Sequence, residues 1–338
     1  MKQIILSIFG TAALLAAFAP RALGQTPSDD RVLRYAHTET AQNLNEIATA
    51  IRSVVDLRQV SVAAQERLLA IHGTPGQLEM AEWLFARLDQ APAQRAPGEV
   101  AEFAPSGGAD DVVRVFYLNF PETVQAFQEI ATSIRSTAEI RRVFTYNALK
   151  AIVMRGSSEQ IAMADWLVTQ LDRPVPRRAI GPAEYKLRKN ADDVVNVYFL
   201  AQTPDVASFQ EIATSVRAIA DIRRVFTNNA TKAIVVRGTP DQLALASWLL
   251  KELDQPSRSA SSMQEYRLPG SADDLVRVVF FPRIATVQSF QEVAQLVRVQ
   301  TSMRRVFTYN APRALVLRGT LGQLTQAERL TRELDGAQ

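Results

Sequence analysis

The side chains that could carry chemistry in this sequence are two histidines, a recurring pair of aspartates and a recurring set of arginines. The histidines are His37 and His72, and the chain of 338 residues contains no cysteine. Thiol catalysis, disulfides and zinc sites of the Cys/His kind are therefore excluded. Neither histidine lies near a serine or aspartate that recurs, so no Ser-His-Asp triad is indicated. We expect no catalytic residue, no metal site and no cofactor.

Adjacent aspartates precede three strand-like segments, and paired carboxylates could act as a general acid and base or bind calcium. The pairs are Asp110-Asp111, Asp192-Asp193 and Asp273-Asp274. Calcium takes six or more oxygen ligands from one loop, and a single pair supplies too few. We interpret the pairs as solvated charges at the start of a strand. An envelope enzyme that uses them stays open as an alternative.

Six arginines form a candidate interaction surface, because each pair borders a predicted hairpin beside an aromatic residue. Antiparallel arms would bring the two arginines of a pair close together on one face of a sheet. They either form a basic contact patch for a partner or pair with acids of the next module. The six are Arg142 and Arg155, Arg224 and Arg237, and Arg305 and Arg318.

These arginines belong to a segment of sixteen residues that occurs three times. Its copies start at Arg141, Arg223 and Arg304 and read RRVFTYNALKAIVMRG, RRVFTNNATKAIVVRG and RRVFTYNAPRALVLRG. A diverged copy, RQVSVAAQERLLAIHG, starts at Arg58. The glycines that end the four copies are 83, 82 and 81 residues apart, and recurring Glu and Asp residues share these intervals. The chain therefore contains an internal duplication.

Each copy predicts the order β-α-β-β-α. A β-rich run such as VVRVFYL is followed by a helical stripe with apolar residues three and four apart. The sixteen-residue segment then reads as a hairpin with its turn at Asn147-Ala148, and a capping box such as Ser157 to Gln160 starts a second helix. We predict an α+β fold of tandem modules, each with two helices packed on a small three-stranded sheet.

The chain divides into a leader, four modules and three linkers rich in proline, glycine and serine. Glu102, Glu184 and Glu265 keep the period beside these linkers, and each starts a Glu-Phe or Glu-Tyr segment that is either an edge strand or a docking segment. The predicted divisions are a signal peptide at 1–24, module 1 at 25–92, module 2 at 100–174, module 3 at 183–256 and module 4 at 264–338, with linkers at 93–99, 175–182 and 257–263.

The first residues resemble an export signal. Lys2 precedes an apolar run of 16 residues, and Ala22-Leu23-Gly24 predicts cleavage between Gly24 and Gln25. The run is shorter than the roughly 20 residues that span a bilayer, so we expect no transmembrane segment in the mature chain. Without Lys2 and Arg21, 36 bases face 35 acids. A mature charge of +1 gives no global field that would attract polyanions.

The repeated pattern resembles the periplasmic N-domain of bacterial secretins, the outer-membrane gates of secretion and pilus systems. The resemblance rests on NALKAIVMRGSSEQIAMADWLVTQLDRP and its counterparts, with Asn147, Gly156, Ser157 and a closing Leu171-Asp172. It implies a periplasmic fold of two helices on a small sheet, which packs laterally into rings and contacts secretion components. The pore domain of secretins has no counterpart after Asp335, so we expect no pore.

We therefore expect a non-enzymatic, exported repeat protein that acts as a periplasmic scaffold or adaptor through protein–protein contacts. Its expected partners are proteins of the cell envelope or of secretion machinery, with association at the outer membrane through them, and self-association stays open. A rival is a KH-like array that binds single-stranded nucleic acid, because GTPG at Gly73 and GTLG at Gly319 match the KH loop. These loops lie between a strand and a helix, whereas KH loops join two helices, so no nucleic acid is expected.

Overall fold

The computed structural model describes residues 29–91, 98–105, 110–174, 180–188, 190, 193–256, 261–271 and 273–336. The predicted signal peptide, its cleavage site at Gly24 and Gln25 and parts of the three predicted linkers lie outside these residues. Within them, no helix has the length and apolar character needed to cross a membrane.

The described residues form four modules that repeat one order of strands and helices. Module 1 contains β1 (Asp29–Arg34), α1 (Ala41–Val55), β2 (Gln59–Ala63), β3 (Leu68–Gly73) and α2 (Pro75–Leu88). Module 2 contains β4 (Val100–Phe103), β5 (Val112–Tyr117), α3 (Val124–Thr137), β6 (Arg142–Tyr146), β7 (Ala151–Gly156) and α4 (Ser158–Leu171). Module 3 contains β8 (Ile180–Lys186), β9 (Val194–Phe199), α5 (Val206–Ile219), β10 (Arg224–Asn228), β11 (Ala233–Gly238) and α6 (Pro240–Leu253). Module 4 contains β12 (Ser262–Arg267), β13 (Leu275–Phe280), α7 (Val287–Thr301), β14 (Arg305–Tyr309), β15 (Ala314–Gly319) and α8 (Leu321–Gly336).

The predicted α+β class is confirmed, and every sheet is antiparallel. The prediction of three strands holds for module 1, with the order β1-β3-β2. It is wrong for modules 2 to 4, whose sheets have a fourth edge strand and the orders β4-β5-β7-β6, β10-β11-β9-β8 and β12-β13-β15-β14. The extra strand is the Glu-Phe or Glu-Tyr segment, and β8 and β12 begin inside two of the predicted linkers.

An aromatic contact with the preceding module holds each of these edge strands. Phe103 of β4 lies against Trp83 of α2, with ring centroids 5.5 Å apart. Tyr185 and Tyr266 repeat the contact with Trp166 and Trp248, at 5.4 Å. Tilted aromatic pairs at this distance are favourable beyond the area they bury. The edge strand is therefore part of the connection between two modules.

Local sequence determines the starts of the second helices. The predicted capping boxes are present at Thr74, Ser157 and Thr239, where the side chain accepts from the backbone N–H three residues later. The glutamine of each box approaches the glycine that ends the preceding strand, and a Cβ on Gly156 would lie 2.8 Å from Gln160 Oε1. Any larger residue at this position would therefore displace the glutamine of the capping box.

The hairpin turns are longer than predicted. In module 2, a 3-10 turn covers Asn147–Leu149 and Lys150 follows it with φ of 48°. Lys150 is thus the left-handed residue of the turn, and the return strand begins at Ala151. Arg67, Lys232 and Arg313 occupy the same left-handed position in the other modules.

The modules stack, so that each later sheet is covered on both faces. In module 2, Ile152 and Met154 face the module's own helices, whereas Ala151 and Val153 belong to the core formed with α1 of module 1. The sheet of module 3 packs likewise against α3, and the sheet of module 4 packs against α5. Apolar cores therefore continue across each of the three module boundaries, which we call joints.

Module 1 differs because no described helix covers the outer face of its sheet. Where module 2 has Phe144 and Val153 on this face, module 1 has Ser61 and Ala70, and both are exposed. End modules of stacked repeats need a polar outer face to stay soluble. This requirement explains why the first copy lacks the aromatic residue and has Gln59 and His72 where module 2 has Arg142 and Arg155.

Candidate interaction surfaces

Three of the six predicted site arginines lie near the end of the last strand of a module (β7, β11 or β15) and reach into a joint. Arg155 Nη1 donates to the carbonyl oxygen of Val54 at 2.9 Å, near the C-terminus of α1. Arg237 and Arg318 donate in the same way to the carbonyls of Thr137 and Ile219, which end α3 and α5. Unpaired carbonyls at a helix C-terminus carry partial negative charge and favour a cation there. Each of these arginines therefore fastens one module to the helix before it.

The second aspartate of each doublet positions these arginines. Asp193 accepts from Nε and Nη2 of Arg237 at 2.8 and 2.6 Å, and Asp111 and Asp274 bind Arg155 and Arg318 in the same bidentate way. Arg237 is only 7% exposed. The hydrogen bond that Arg237 donates to Asp193 is the main reason that the pKa of Arg237 is raised. The guanidinium therefore stays charged, paired and fixed in the joint.

The first aspartate of a doublet holds the start of the second helix. Asp110 Oδ1 accepts from the backbone N–H of Ser158 at 2.7 Å, and Asp273 Oδ1 accepts from that of Leu321 at 2.8 Å. Asp192 lies outside the described residues. The expectation of merely solvated charges is thus replaced by defined structural contacts. Carboxylates committed to backbone N–H groups and to arginine are poorly suited to general acid or base chemistry.

The other three site arginines start β6, β10 and β14 and form ion pairs across the joints. Arg142 binds Asp56 at 2.9 Å, Arg224 binds Glu139, and Arg305 binds Asp221 at 2.6 Å. Each acid follows the first helix of the preceding module in a left-handed conformation. The prediction that these arginines pair with acids of the next module is therefore wrong, because the acids belong to the preceding module. The role of the six arginines toward other proteins stays a prediction.

A recurring glutamate and asparagine strengthen two of the joints. Glu129 accepts from the backbone N–H and from Nδ2 of Asn229, each at 2.7 Å. Glu211 binds Asn310 in the same way. The sequence indicated the glutamate only as a marker of the repeat period and not as a binding residue. The signal was available, because an acid and an asparagine recur together with the same intervals.

The aspartate that closes each of modules 1 to 3 holds a loop of that module. Asp89 accepts from the backbone N–H groups of Ala36, His37 and Thr38 at 2.6 to 3.1 Å. Asp172 and Asp254 bind the equivalent loops. His37 thus contacts Asp89 through its backbone N–H. His72 Nδ1 lies 2.7 Å from Asp30 Oδ1 on the outer face of the first sheet.

In the described part of the chain, no three His, Cys, Asp or Glu residues are close enough to hold a metal ion. The glycines of the two KH-like loops lie between a strand and a helix, as the sequence predicted. Thr74 and Thr320 in these loops take part in capping contacts with Gln77 and Gln323.

A buried tyrosine makes the joint between modules 3 and 4 sensitive to alkaline pH. Tyr309 is 3% exposed, and burial, with smaller effects from Asp254, Glu211 and Asp205, raises its pKa from 10.0 to about 12. The folded state therefore favours the neutral phenol, and this stabilisation is complete below pH 10 and lost as the pH rises to about 12.

We expect the wild-type chain to lose stability between pH 10 and 12 more steeply than Tyr309→Phe, which has no phenol to ionise. The midpoint of urea unfolding across this range, followed by circular dichroism, measures the difference. Identical pH dependence of the two chains would contradict the assignment.

The sequence matches no protein-family model and no curated protein sequence. Among solved structures, the chain is similar to a dimeric variant of the N-terminal domain of the secretin XcpQ from Pseudomonas aeruginosa, with 16% identity, 44% of this chain and 63% of that chain covered, and a TM-score of 0.19. ExeD from Aeromonas hydrophila is 13% identical over 68% of this chain and 42% of that chain, with a TM-score of 0.16. An aspartate kinase from Synechocystis is 10% identical over 92% of this chain and 55% of that chain, with a TM-score of 0.17.

The chain thus spans less than two thirds of the length of each of these three structures. N-terminal domains of the secretin XcpQ are among the matches. TM-scores of this size support no inference about function.

Proposed function

We propose that this chain is a non-enzymatic scaffold or adaptor that is exported to the periplasm and works through protein–protein contacts in a secretion, pilus or envelope assembly. The observation that carries the proposal is the use of the repeated polar residues. Arginines, aspartates and glutamates that recur with the repeat period connect one module to the next. Repeated modules that are joined by their recurring residues can form an extended scaffold for other proteins.

The alternative of an enzyme that uses the aspartate doublets is less well supported. In the two doublets that are fully described, one aspartate holds a helix start and the other binds an arginine. A general base needs a carboxylate that is within reach of a substrate proton. Among the described residues, neither histidine belongs to a group of His, Cys, Asp and Glu that could hold a metal ion.

The alternative of a nucleic-acid-binding array has no observation in its favour. In a KH domain, the Gly-x-x-Gly loop joins two helices and clamps the nucleic-acid backbone. The equivalent loops here start a helix after a strand, and capping contacts engage their threonines. A mature charge near neutrality supplies no general attraction for phosphates.

The partners that fit this proposal are proteins of the envelope or of a secretion machine, through which the chain would associate with the outer membrane. Self-association is part of the proposal as an open question. The secretin resemblance of the repeated pattern supports this choice of partners, and the joints described above support the scaffold role.

Export is tested by the N-terminus of the protein isolated from its own host. We expect mass spectrometry of the periplasmic fraction to find Gln25 as the first residue, because the leader has a charged start, an apolar run and small residues before the cleavage site. A cytoplasmic protein that retains Met1 would contradict the proposal and favour the nucleic-acid alternative.

A further inference from the structure

One recurring arginine has no partner within the described residues. It is the residue immediately before the first strand of each hairpin, that is, before β2, β6, β10 and β14, and it is exposed in all four modules. Its neighbour in modules 2 to 4 is the arginine that pairs across the joint. We call these four residues the arginine ladder: Arg58, Arg141, Arg223 and Arg304.

Module 1 keeps its ladder arginine although its residues at the joint positions differ from those of modules 2 to 4. In module 1, the counterparts of Arg142, Phe144 and Arg155 are Gln59, Ser61 and His72, because no described helix packs against that face of the sheet. Arg58 nevertheless remains arginine beside Gln59. Recent duplication alone explains identity among modules 2 to 4, but not the retention of one exposed arginine in the module that has diverged.

The joints place the four arginines along one flank of the stack. The ion pair between Asp56 and Arg142 lies two residues from Arg58 and one residue from Arg141. The pair between Glu139 and Arg224 relates Arg141 to Arg223 in the same way. The pair between Asp221 and Arg305 relates Arg223 to Arg304. Consecutive members therefore lie on either side of one ion pair, and the four form a row with one cation for each module.

The acids next to the ladder do not neutralise it, because other arginines engage them. Asp56, Glu139 and Asp221 bind the joint arginines described above. At the corresponding position of module 4 the acid is replaced by Ser302, which leaves Arg304 without a neighbouring carboxylate there. The ladder thus offers four guanidinium groups to an outside ligand.

We propose that the arginine ladder docks an extended, acidic segment of a protein partner. A guanidinium binds a carboxylate through two parallel hydrogen bonds. An extended chain rises about 3.3 Å per residue, so spaced acidic side chains can reach successive modules. A lipid surface is recognised by dense clusters of 4–8 basic residues, and single strands of nucleic acid need aromatic stacking platforms. A single row with one cation for each module fits the acidic segment best.

This inference names the partner chemistry of the proposed scaffold and rests on that function. It is tested with the full mature chain and a fluorescent peptide of alternating glutamate and glycine, long enough to cross four modules. The test variant is R58Q/R141Q/R223Q/R304Q. The control variant, R34Q/R188Q/R267Q/R329Q, removes the same charge from four arginines that are exposed elsewhere.

We expect the peptide to bind the wild type and the control variant with similar affinity, and the ladder variant on the order of tenfold to a hundredfold more weakly. The estimate follows because each exposed ion pair contributes about 0.2–1 kcal/mol, a factor of roughly 1.4 to 5. When one peptide engages several arginines at once, the factors in affinity from the single ion pairs multiply. Unchanged circular dichroism of the ladder variant will show that the fold is intact.

Three outcomes would overturn the inference. Equal loss in the ladder and control variants would indicate a general charge effect. Equal binding of a peptide with glutamine in place of glutamate would exclude recognition of carboxylates. Tighter binding of phosphatidylglycerol vesicles or of a single-stranded oligonucleotide than of the peptide would assign the ladder to another class of ligand. None of these results changes the N-terminus of the exported protein, so failure of the ladder is distinguishable from failure of the proposed function.

Discussion

Replacing Val235 by aspartate is expected to disconnect module 2 from module 3. Val235 lies on β11, is 1% exposed, and belongs to the core that the module 3 sheet forms with module 2. The substitution removes about 1.5–3 kcal/mol of apolar burial and places an unpaired carboxylate in an apolar core. We expect the free energy of unfolding to fall by about 4 kcal/mol or more. Losses of this size are typical of an unpaired charge placed in a core.

Ala70→Asp is the matched control. Ala70 occupies the same position of the module 1 sheet, on the outer face that no described helix covers, and it is exposed. We expect this change to cost within about 1 kcal/mol, the usual range of strand preferences. Urea unfolding followed by tryptophan fluorescence measures both, because Trp166 of module 2 contacts Tyr185 of module 3. Equal costs for the two variants would show that the outer sheet faces are not joint surfaces.

Replacing Arg237 by alanine is expected to destabilise the same joint by about 3 kcal/mol. The Arg237 side chain is 6% exposed, binds Asp193 through two nitrogens and donates to the carbonyl of Thr137. Its loss leaves the Asp193 charge and a helix-terminal carbonyl without their donor. Removing one member of a buried pair costs about 3–5 kcal/mol, and the 22% exposure of the Asp193 side chain places this case at the lower end.

Arg224→Ala is the control within the same joint. Arg224 binds Glu139, as Arg237 also does, but its side chain is 38% exposed. Exposed ion pairs contribute about 0.2–1 kcal/mol, so we expect a loss within that range. Urea midpoints of the two variants provide the comparison. A loss for Arg224→Ala as large as that for Arg237→Ala would contradict the distinction between the buried and the exposed arginines.

The sequence predicts the inside of a module well because those features depend on nearby residues. The capping box at Ser157 involves Gln160, three residues away, and the hairpin arms are adjacent in the chain. The α+β order of elements follows from the same short-range patterns. The longer hairpin turns and the fourth strand were not predicted, and the place of the fourth strand depends on Trp83 and its counterparts in the preceding module.

The joints could not be predicted from the sequence in the same way. Arg237 and the Thr137 carbonyl are 100 residues apart, and no local pattern indicates which helix end an arginine will reach. Arg141 and Arg142 are adjacent residues of one type, and the sequence left open whether Arg142 contacts a partner or pairs with acids of the next module. The structure separates them, since Arg142 pairs within the chain and Arg141 has no partner among the described residues.

The distance between the two end modules tests most directly whether the joints make one rigid stack. The chain contains no cysteine, so Glu79→Cys on α2 and Thr325→Cys on α8, both exposed, can carry spin labels without further changes. Pulsed electron–electron double resonance is expected to give one narrow distance distribution, which broadens when Val235→Asp is added. A broad distribution in the chain without Val235→Asp would show that the modules move as independent units, and the account of the joints would be wrong.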